Sequence, residues 1–267
     1  MDAAIGLALI MSCGITASTL ALHGFQGPLL PYEGRFGLFA NCADRELLDI
    51  KLATAGLGET WEMMSVAIKP YPACHLTHSC IDAARYLSNT HQLSSENISK
   101  IIVRVASDSM PVVCEPLEEK RRPKSGYEAQ FSLPYLVASA ICRDRLALID
   151  LEKEAYTDPV VINLCQRINC EPMDGSLYPA YFSGEVEVLT NDGESFIRRE
   201  IINRGSDKTP ITDAEIKKKY MENSKLALPS DMAEEIMGVV LNLDNCKSFN
   251  SLSSLLGKNI NSNYITT

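Results

Sequence analysis

The stretch Lys69-Pro-Tyr-Pro-Ala-Cys-His-Leu-Thr-His-Ser-Cys-Ile-Asp-Ala-Ala84 sets two prolines just ahead of an apolar run with helical spacing, Leu76, Ile81, Ala84 and Leu87. Proline fixes φ near the helical value and lacks the N–H that a first turn leaves unpaired anyway. The spacing therefore predicts a helix from about Pro72 to Leu87, with Cys74 and His75 in its first turn. Met63 to Ile68, just upstream, reads as a strand. An ammonium and two imidazoles, Lys69, His75 and His78, collect at the helix entrance. Free N–H groups and the positive end of the helix dipole favour an anion there, a carboxylate or a phosphate.

Working outward, residues 3–22 carry no charged side chain and read as a buried helix closed by His23-Gly24. Asp44 is placed to cap a second helix carrying Leu47, Leu48 and Leu52. Downstream, Ser95-Glu96-Asn97-Ile98 is a turn before Ile101, Val103 and Val105, whose alternation suits a strand. Glu118 to Lys124 reads as a charged loop, and Gly126 to Cys142 as a helix that Pro134 kinks or truly starts. Asp158-Pro159 opens another helix through Val161, Leu164 and Ile168. Glu185 to Leu189 and Ser195 to Ile201 flank Asn191-Asp192-Gly193, a hairpin signature. Thr212-Asp-Ala-Glu215 is a capping box, Ser230-Asp231 opens a further helix, and Leu252, Leu255 and Leu256 mark a short one before frayed final residues. Helices, a mixed middle and helices again predict an α+β fold. Residues 1–61 and 206–267 would belong to a helical domain, and 62–205 would be a mixed α/β domain inserted between them.

With 267 residues and 46% hydrophobic composition the chain can bury a substantial core. Its formal charge of −9 argues against wholesale binding to nucleic acid or an acidic membrane, though a local basic pocket remains compatible with it. Nine cysteines, an odd number without a C-x-x-C pair, fit a reduced, cytoplasmic setting. Ser12, Gly14, Thr16, Ser18 and Thr19 dilute the 3–22 stretch, and no Lys or Arg flanks it, so it reads as neither membrane span nor signal peptide. Cys74, His75, His78 and Cys80 crowd into seven residues without a usual zinc spacing, and no metal is expected.

Four separated segments together resemble the MmgE/PrpD family of 2-methylcitrate dehydratases, cis-aconitate decarboxylases and iminodisuccinate epimerases. They are Cys13-Gly-Ile-Thr-Ala17 with Gly24-Phe-Gln-Gly-Pro28, the Lys69–Ala84 stretch, Arg122-Pro-Lys-Ser-Gly-Tyr-Glu-Ala-Gln-Phe-Ser-Leu-Pro-Tyr135, and Val186-Glu-Val-Leu-Thr-Asn-Asp-Gly193 with Arg204-Gly205. The resemblance implies a large helical domain with a smaller α+β lid, of which this chain looks like the second half, the N-terminal part of the helical domain being missing. It implies a cofactor-independent lyase, dehydratase or decarboxylase, acting on a citrate-like polycarboxylate. Association as a homodimer or with the missing half is implied too. The competing reading is an inactive remnant or interaction module.

By the same resemblance Lys69, His78 and Tyr135 would be catalytic, while His75, Cys74, Arg122, Lys124 and Ser132 would hold substrate. Eliminations beside a carboxylate need cations to hold the substrate and an acid or base to move a proton. Cys74 stands where the decarboxylases carry a histidine, which weighs against decarboxylation. Blander readings stay open at this point. Lys69 could be a surface lysine, His78 a core histidine bonded to backbone, Tyr135 a core aromatic with its hydroxyl satisfied, and Arg121, Arg122 and Lys124 a solvated loop.

Overall fold

The computed structural model describes residues 2–44 and 48–257, without the side chains of residues 2–9. The chain divides into two compact units, residues 1–61 and 62–267.

In the first unit a single helix runs Asp2–Leu22 and closes at Gly24, whose φ of +87° is cheap only for glycine. The expected burial of this helix is not found: Ile10, Met11 and Ile15 are between 64% and 73% exposed. An uncharged sequence reads as buried, but burial needs a facing surface. Among its described residues the other regular elements are a five-residue helix at Leu38–Cys42 and a 3-10 turn at Ile50–Ala53. The first turn of the helix expected after Asp44, residues 45–47, lies outside the described residues. Asp49 accepts the Lys51 N–H at 3.0 Å and caps the 3-10 turn, Leu52 is exposed, and Leu47 lies outside the described residues. Among the described residues no helix is long and apolar enough to cross a membrane.

The second unit is α+β, built on a four-stranded sheet ordered β2-β1-β3-β4, with β1 Ile98–Val105, β2 Ile168–Pro172, β3 Gly184–Thr190 and β4 Ser195–Glu200. β1 pairs parallel with β2 and antiparallel with β3, and β3 pairs antiparallel with β4. Alternation sorts the two faces. Ile98, Ile101, Val103 and Val105 of β1 join Val186 and Val188 of β3 in the core. On the other face Arg104 binds Glu171 at 2.9 Å and Glu185 and Glu187 each at 2.8 Å, so the charged residues of three strands pair with one another. The helix His78–His91 packs over β3 and β4 and against the helix Leu133–Arg143, burying Cys80, Ile81, Ala83, Ala84 and Leu87. Gly184 makes that approach feasible, since a Cβ there would lie 2.7 Å from Cys80 Sγ and 2.9 Å from its backbone nitrogen.

Several expectations are corrected. Met63 to Ile68 is not a strand but a 3-10 turn at Glu62–Ser65 followed by largely exposed chain, because among the described residues no neighbouring strand completes its ladder. The 126–142 helix is two helices, Gly126–Gln130 and Leu133–Arg143, and Pro134 sits in the first turn of the second. The charged 118–124 loop contains a short helix, Leu117–Lys120, anchored by Arg121 donating to the Ile168 carbonyl at 2.7 Å. The helix after Asp158 ends at Cys165, and Ile168 opens β2 because β1 offers it a parallel ladder. Asp158 does cap that helix, accepting the Val160 N–H at 2.9 Å. The hairpin turns at Asn191-Asp192-Gly193, and the capping box at Thr212 and Glu215 opens Asp213–Ser224. Helices Ser230–Leu241 and Asn250–Leu256 follow, while the residues expected to fray lie outside the described ones.

Candidate functional site

The His78–His91 helix begins at His78 and not near Pro72: a 3-10 turn, His75–Thr77, precedes it, and Cys74 lies ahead of that turn with φ −58° and ψ 132°, outside any helical turn. The Cys74 N–H donates to the Gln130 carbonyl at 2.9 Å, and the Thr77 hydroxyl donates to the Cys74 carbonyl at 2.7 Å. Two side chains then converge on one backbone acceptor. Lys69 Nζ and His78 Nε2 each donate to the Ala73 carbonyl at 3.2 Å, so a solvent-facing ammonium and a buried imidazole are held on the same atom.

His78 is fully buried. Its Nδ1 has no partner, and because Nε2 carries the proton, Nδ1 is a bare acceptor. Burial, reinforced by the neighbouring His75 and Lys69, holds its pKa down to about 3, so the ring is neutral throughout the physiological range. The ring of His75 lies 4.8 Å from that of His78. Its tautomer follows from Asn203: the Asn203 Oδ1 accepts the Phe182 N–H at 3.0 Å, leaving Nδ2 to donate to His75 Nε2, also at 3.0 Å. His75 thus carries its proton on Nδ1. Burial first, then the charge of Lys69, lowers its pKa below the ordinary histidine value.

A hydrogen-bonded brace fixes this entrance. The buried Tyr71 hydroxyl donates to Asp82 Oδ1 at 2.5 Å and receives Arg204 Nη2 at 3.0 Å and Arg85 Nη1 at 3.2 Å. Burial and the Asp82 carboxylate push the phenol up to about 12, so it stays protonated and serves as a fixed donor. Arg204 also pairs with Asp82 at 3.1 Å and with Glu215 at 2.5 Å, tying the Asp213–Ser224 helix to the entrance. Gly205 has φ +91°, and a Cβ there would come within 2.0 Å of the Ile68 carbonyl oxygen, while its own carbonyl accepts the Ile68 N–H at 2.8 Å. Only glycine lets the 204–205 segment lie against the chain leading to Lys69. From the same helix Lys219 Nζ donates to the Lys69 carbonyl at 2.5 Å. Beside them opens a groove of about 410 Å³ whose walls include Tyr71, Arg85, Arg204 and Lys219.

Lys69, Cys74, His75 and His78 are brought together, and the other expected site residues are not part of this group. The buried Tyr135 hydroxyl donates to the Asp150 carbonyl, and the buried Ser132 hydroxyl donates to the Lys120 carbonyl and accepts the Tyr135 N–H at 3.1 Å. Arg122 and Lys124 are exposed, and the Lys124 backbone is held by Glu128. Among the described residues no three of His, Cys, Asp and Glu gather in metal-binding geometry. Sequence reasoning passed over Tyr71, Asn203 and Lys219. Tyr71 lay inside the quoted stretch and Lys219 on a helix with a recognisable cap, whereas nothing local ties Asn203 to His75.

The sequence is similar to those of known proteins. Cis-aconitate decarboxylase from Homo sapiens is 26% identical over 252 residues, covering 91% of this chain and 50% of that protein. The Mus musculus enzyme of the same name is 24% identical over 255 residues with the same coverage, and that of Aspergillus terreus 24% identical over 295 residues, covering 96% of this chain and 59% of the relative. The chain therefore spans about half the length of the mammalian relatives it matches. The family model for the MmgE/PrpD C-terminal domain matches residues 71–245, from the brace tyrosine to beyond the Ser230–Leu241 helix, and the chain belongs to the MmgE/PrpD family.

Proposed function

We propose that residues 62–267 form one wall of the active site of a cofactor-independent lyase that eliminates carbon dioxide or water from a citrate-like polycarboxylate. The observation that carries this reading is the convergence of Lys69 and His78 on the Ala73 carbonyl, with His75 alongside. Lys69 is solvent-facing and free to give its remaining ammonium protons to a substrate carboxylate. His75, half-buried and neutral with its proton on Nδ1, can donate to substrate without adding charge. His78 lies beneath and positions both, and Cys74 begins the turn that aims them. In this reading Ser132 and Tyr135 support the wall from within, and Arg122 and Lys124 flank it. The names of the relatives favour decarboxylation, whereas the Cys74 thiol, in place of an imidazole, favours dehydration. Dehydration needs a base to take the carbon-bound proton and an acid to protonate the departing hydroxyl, whereas decarboxylation leaves its electron pair on carbon and needs an acid to protonate it. The facing groups come from a second copy or from the half of the relatives' length that this chain does not match.

The test is calorimetric titration of the full chain with tricarballylate, a tricarboxylate that cannot eliminate. Wild-type protein should bind it, and Lys69→Gln should weaken binding by roughly tenfold, the scale of one charge-assisted hydrogen bond. No binding by the wild type would overturn the site. It would instead favour the interaction-module reading, which the exposed Ile10, Met11 and Ile15 of the first helix support.

A further inference from the structure

Lys219 is absent from the sequence-derived site, yet the fold sets it against the main residue of that site. Its Nζ donates to the Lys69 carbonyl at 2.5 Å. The helix that carries it is fixed at its start by the capping box, Thr212 N–H to Glu215 Oε2 at 2.8 Å, and by the Arg204 to Glu215 pair at 2.5 Å. Lys219 is therefore a placed group and not a freely swinging surface lysine.

The charges around it are unbalanced. Of the carboxylates on its own helix, Glu215 is paired with Arg204 and Glu222 with Lys218 at 3.8 Å, while the exposed Asp213 lies in the first turn, six residues from Lys219. Asp82, on the facing helix, is held by Arg204 and Tyr71. Among the described residues neither Lys69 nor Lys219 forms an ion pair. Burial, then the charge of Lys69, lowers the pKa of Lys219. Both bear on the buried His78, whose bare Nδ1 adds no positive charge of its own. Lys219 Nζ is anchored on the backbone carbonyl of Lys69, whose own ammonium is anchored on the Ala73 carbonyl, and two cations fixed on one short stretch of chain fit a ligand that brings a negative charge for each.

We propose that Lys219 is a substrate-holding residue, its ammonium taking a second carboxylate of the ligand whose first carboxylate is held by Lys69. The site thereby selects for molecules with at least two carboxylates. One of its three N–H groups is used on the Lys69 carbonyl and two remain for the ligand. This inference rests on the reading of Lys69 given above.

The experiment titrates the full chain with tricarballylate and, separately, with butyrate, which has a single carboxylate. Lys219→Gln should weaken tricarballylate binding by roughly tenfold while changing butyrate by less than about twofold. Lys219→Arg, which keeps the charge, should recover tricarballylate binding to within about threefold of wild type. Lys69→Gln should weaken both ligands. Unchanged tricarballylate binding in Lys219→Gln, with Lys69→Gln weakened, overturns the role of Lys219 and leaves that of Lys69 intact. Equal weakening of both ligands by Lys219→Gln also overturns it, since it would show only a diffuse field. A Lys69→Gln variant indistinguishable from wild type removes the underlying reading and this inference with it. Melting curves accompany each variant, and if Lys219→Gln unfolds, the tricarballylate to butyrate ratio of Lys219→Arg decides, a ratio near unity overturning the proposal.

Discussion

Lowering the pH from 7 to 5 protonates His78 in the unfolded chain but not in the folded one. Burial holds the folded pKa down to about 3, against an ordinary value of 6.5. The sign follows from proton counting: between these two values the unfolded state binds the proton and the native state does not, so stability falls as pH falls. The slope is about 1.36 kcal/mol per pH unit, and integrating from pH 7 to pH 5 gives a loss of about 2 kcal/mol. The side chain is fully buried, so solvent screening does not reduce this figure. His75, also lowered, acts in the same direction. Carboxylates whose pKa the fold depresses, such as Glu185 and Glu215, lose their contribution only below their ordinary value of 4.5, outside this window. Thermal melts of the wild type should therefore drop by about 4–8 °C between pH 7 and pH 5, at about 2–4 °C per kcal/mol for a unit of this size. His78→Gln keeps an N–H near the position of Nε2 to donate to Ala73 but cannot titrate. Its drop over the same interval should be less than half that of the wild type. Because each protein is compared with itself, the packing lost by replacing the ring cancels. A His78→Gln variant that keeps the full wild-type drop would refute the assignment of the acid sensitivity to this imidazole.

Two further perturbations test the brace that holds the entrance. Gly205→Ala must place a Cβ 2.0 Å from the Ile68 carbonyl oxygen at φ +91°, and should cost at least about 2 kcal/mol in urea unfolding; a change below 0.5 kcal/mol, on the order of a neutral surface substitution, would show that the segment is not held there. Tyr71→Phe removes the donor to Asp82 while leaving Asp82 paired with Arg204 at 3.1 Å, so stability should fall by about 1–2 kcal/mol in the same assay; a change within error would mean that the phenol adds nothing to the ion pair.

The features that the sequence made legible are those written in neighbouring residues. Asp158-Pro159, the Thr212 to Glu215 capping box and the Asn191 to Gly193 turn each state their own conformation within four residues, and each is found. Pro134 offered two outcomes, a kink or a start, and Ser132 accepting the Tyr135 N–H decided for the start. Errors arose where a partner elsewhere decides. Met63 to Ile68 has the composition of a strand without a strand to pair with, whereas Ile168 to Pro172 has a poor composition and a waiting parallel neighbour in β1. The first helix shows the same logic, since uncharged residues signal an affinity for burial and not the presence of a covering surface.

That distinction also explains which part of the candidate site could be read. Lys69, Cys74, His75 and His78 fall within ten residues and meet through one turn, so their proximity is a local fact. Their protonation and orientation are not. His75 takes its tautomer from Asn203, 128 positions away; Asp82 is held by Arg204, 122 positions away; and Lys219 reaches the Lys69 carbonyl across 150. All three long-range partners come from a single segment, residues 203–219, which enters through Gly205 because no other residue would allow the backbone so close to Ile68. A family resemblance carried on the Lys69 to Ala84 motif alone therefore identifies the wall without stating its charge. The second ammonium, Lys219, to which we assign a second carboxylate in the proposal above, arrives from the side of the fold that the motif does not contain.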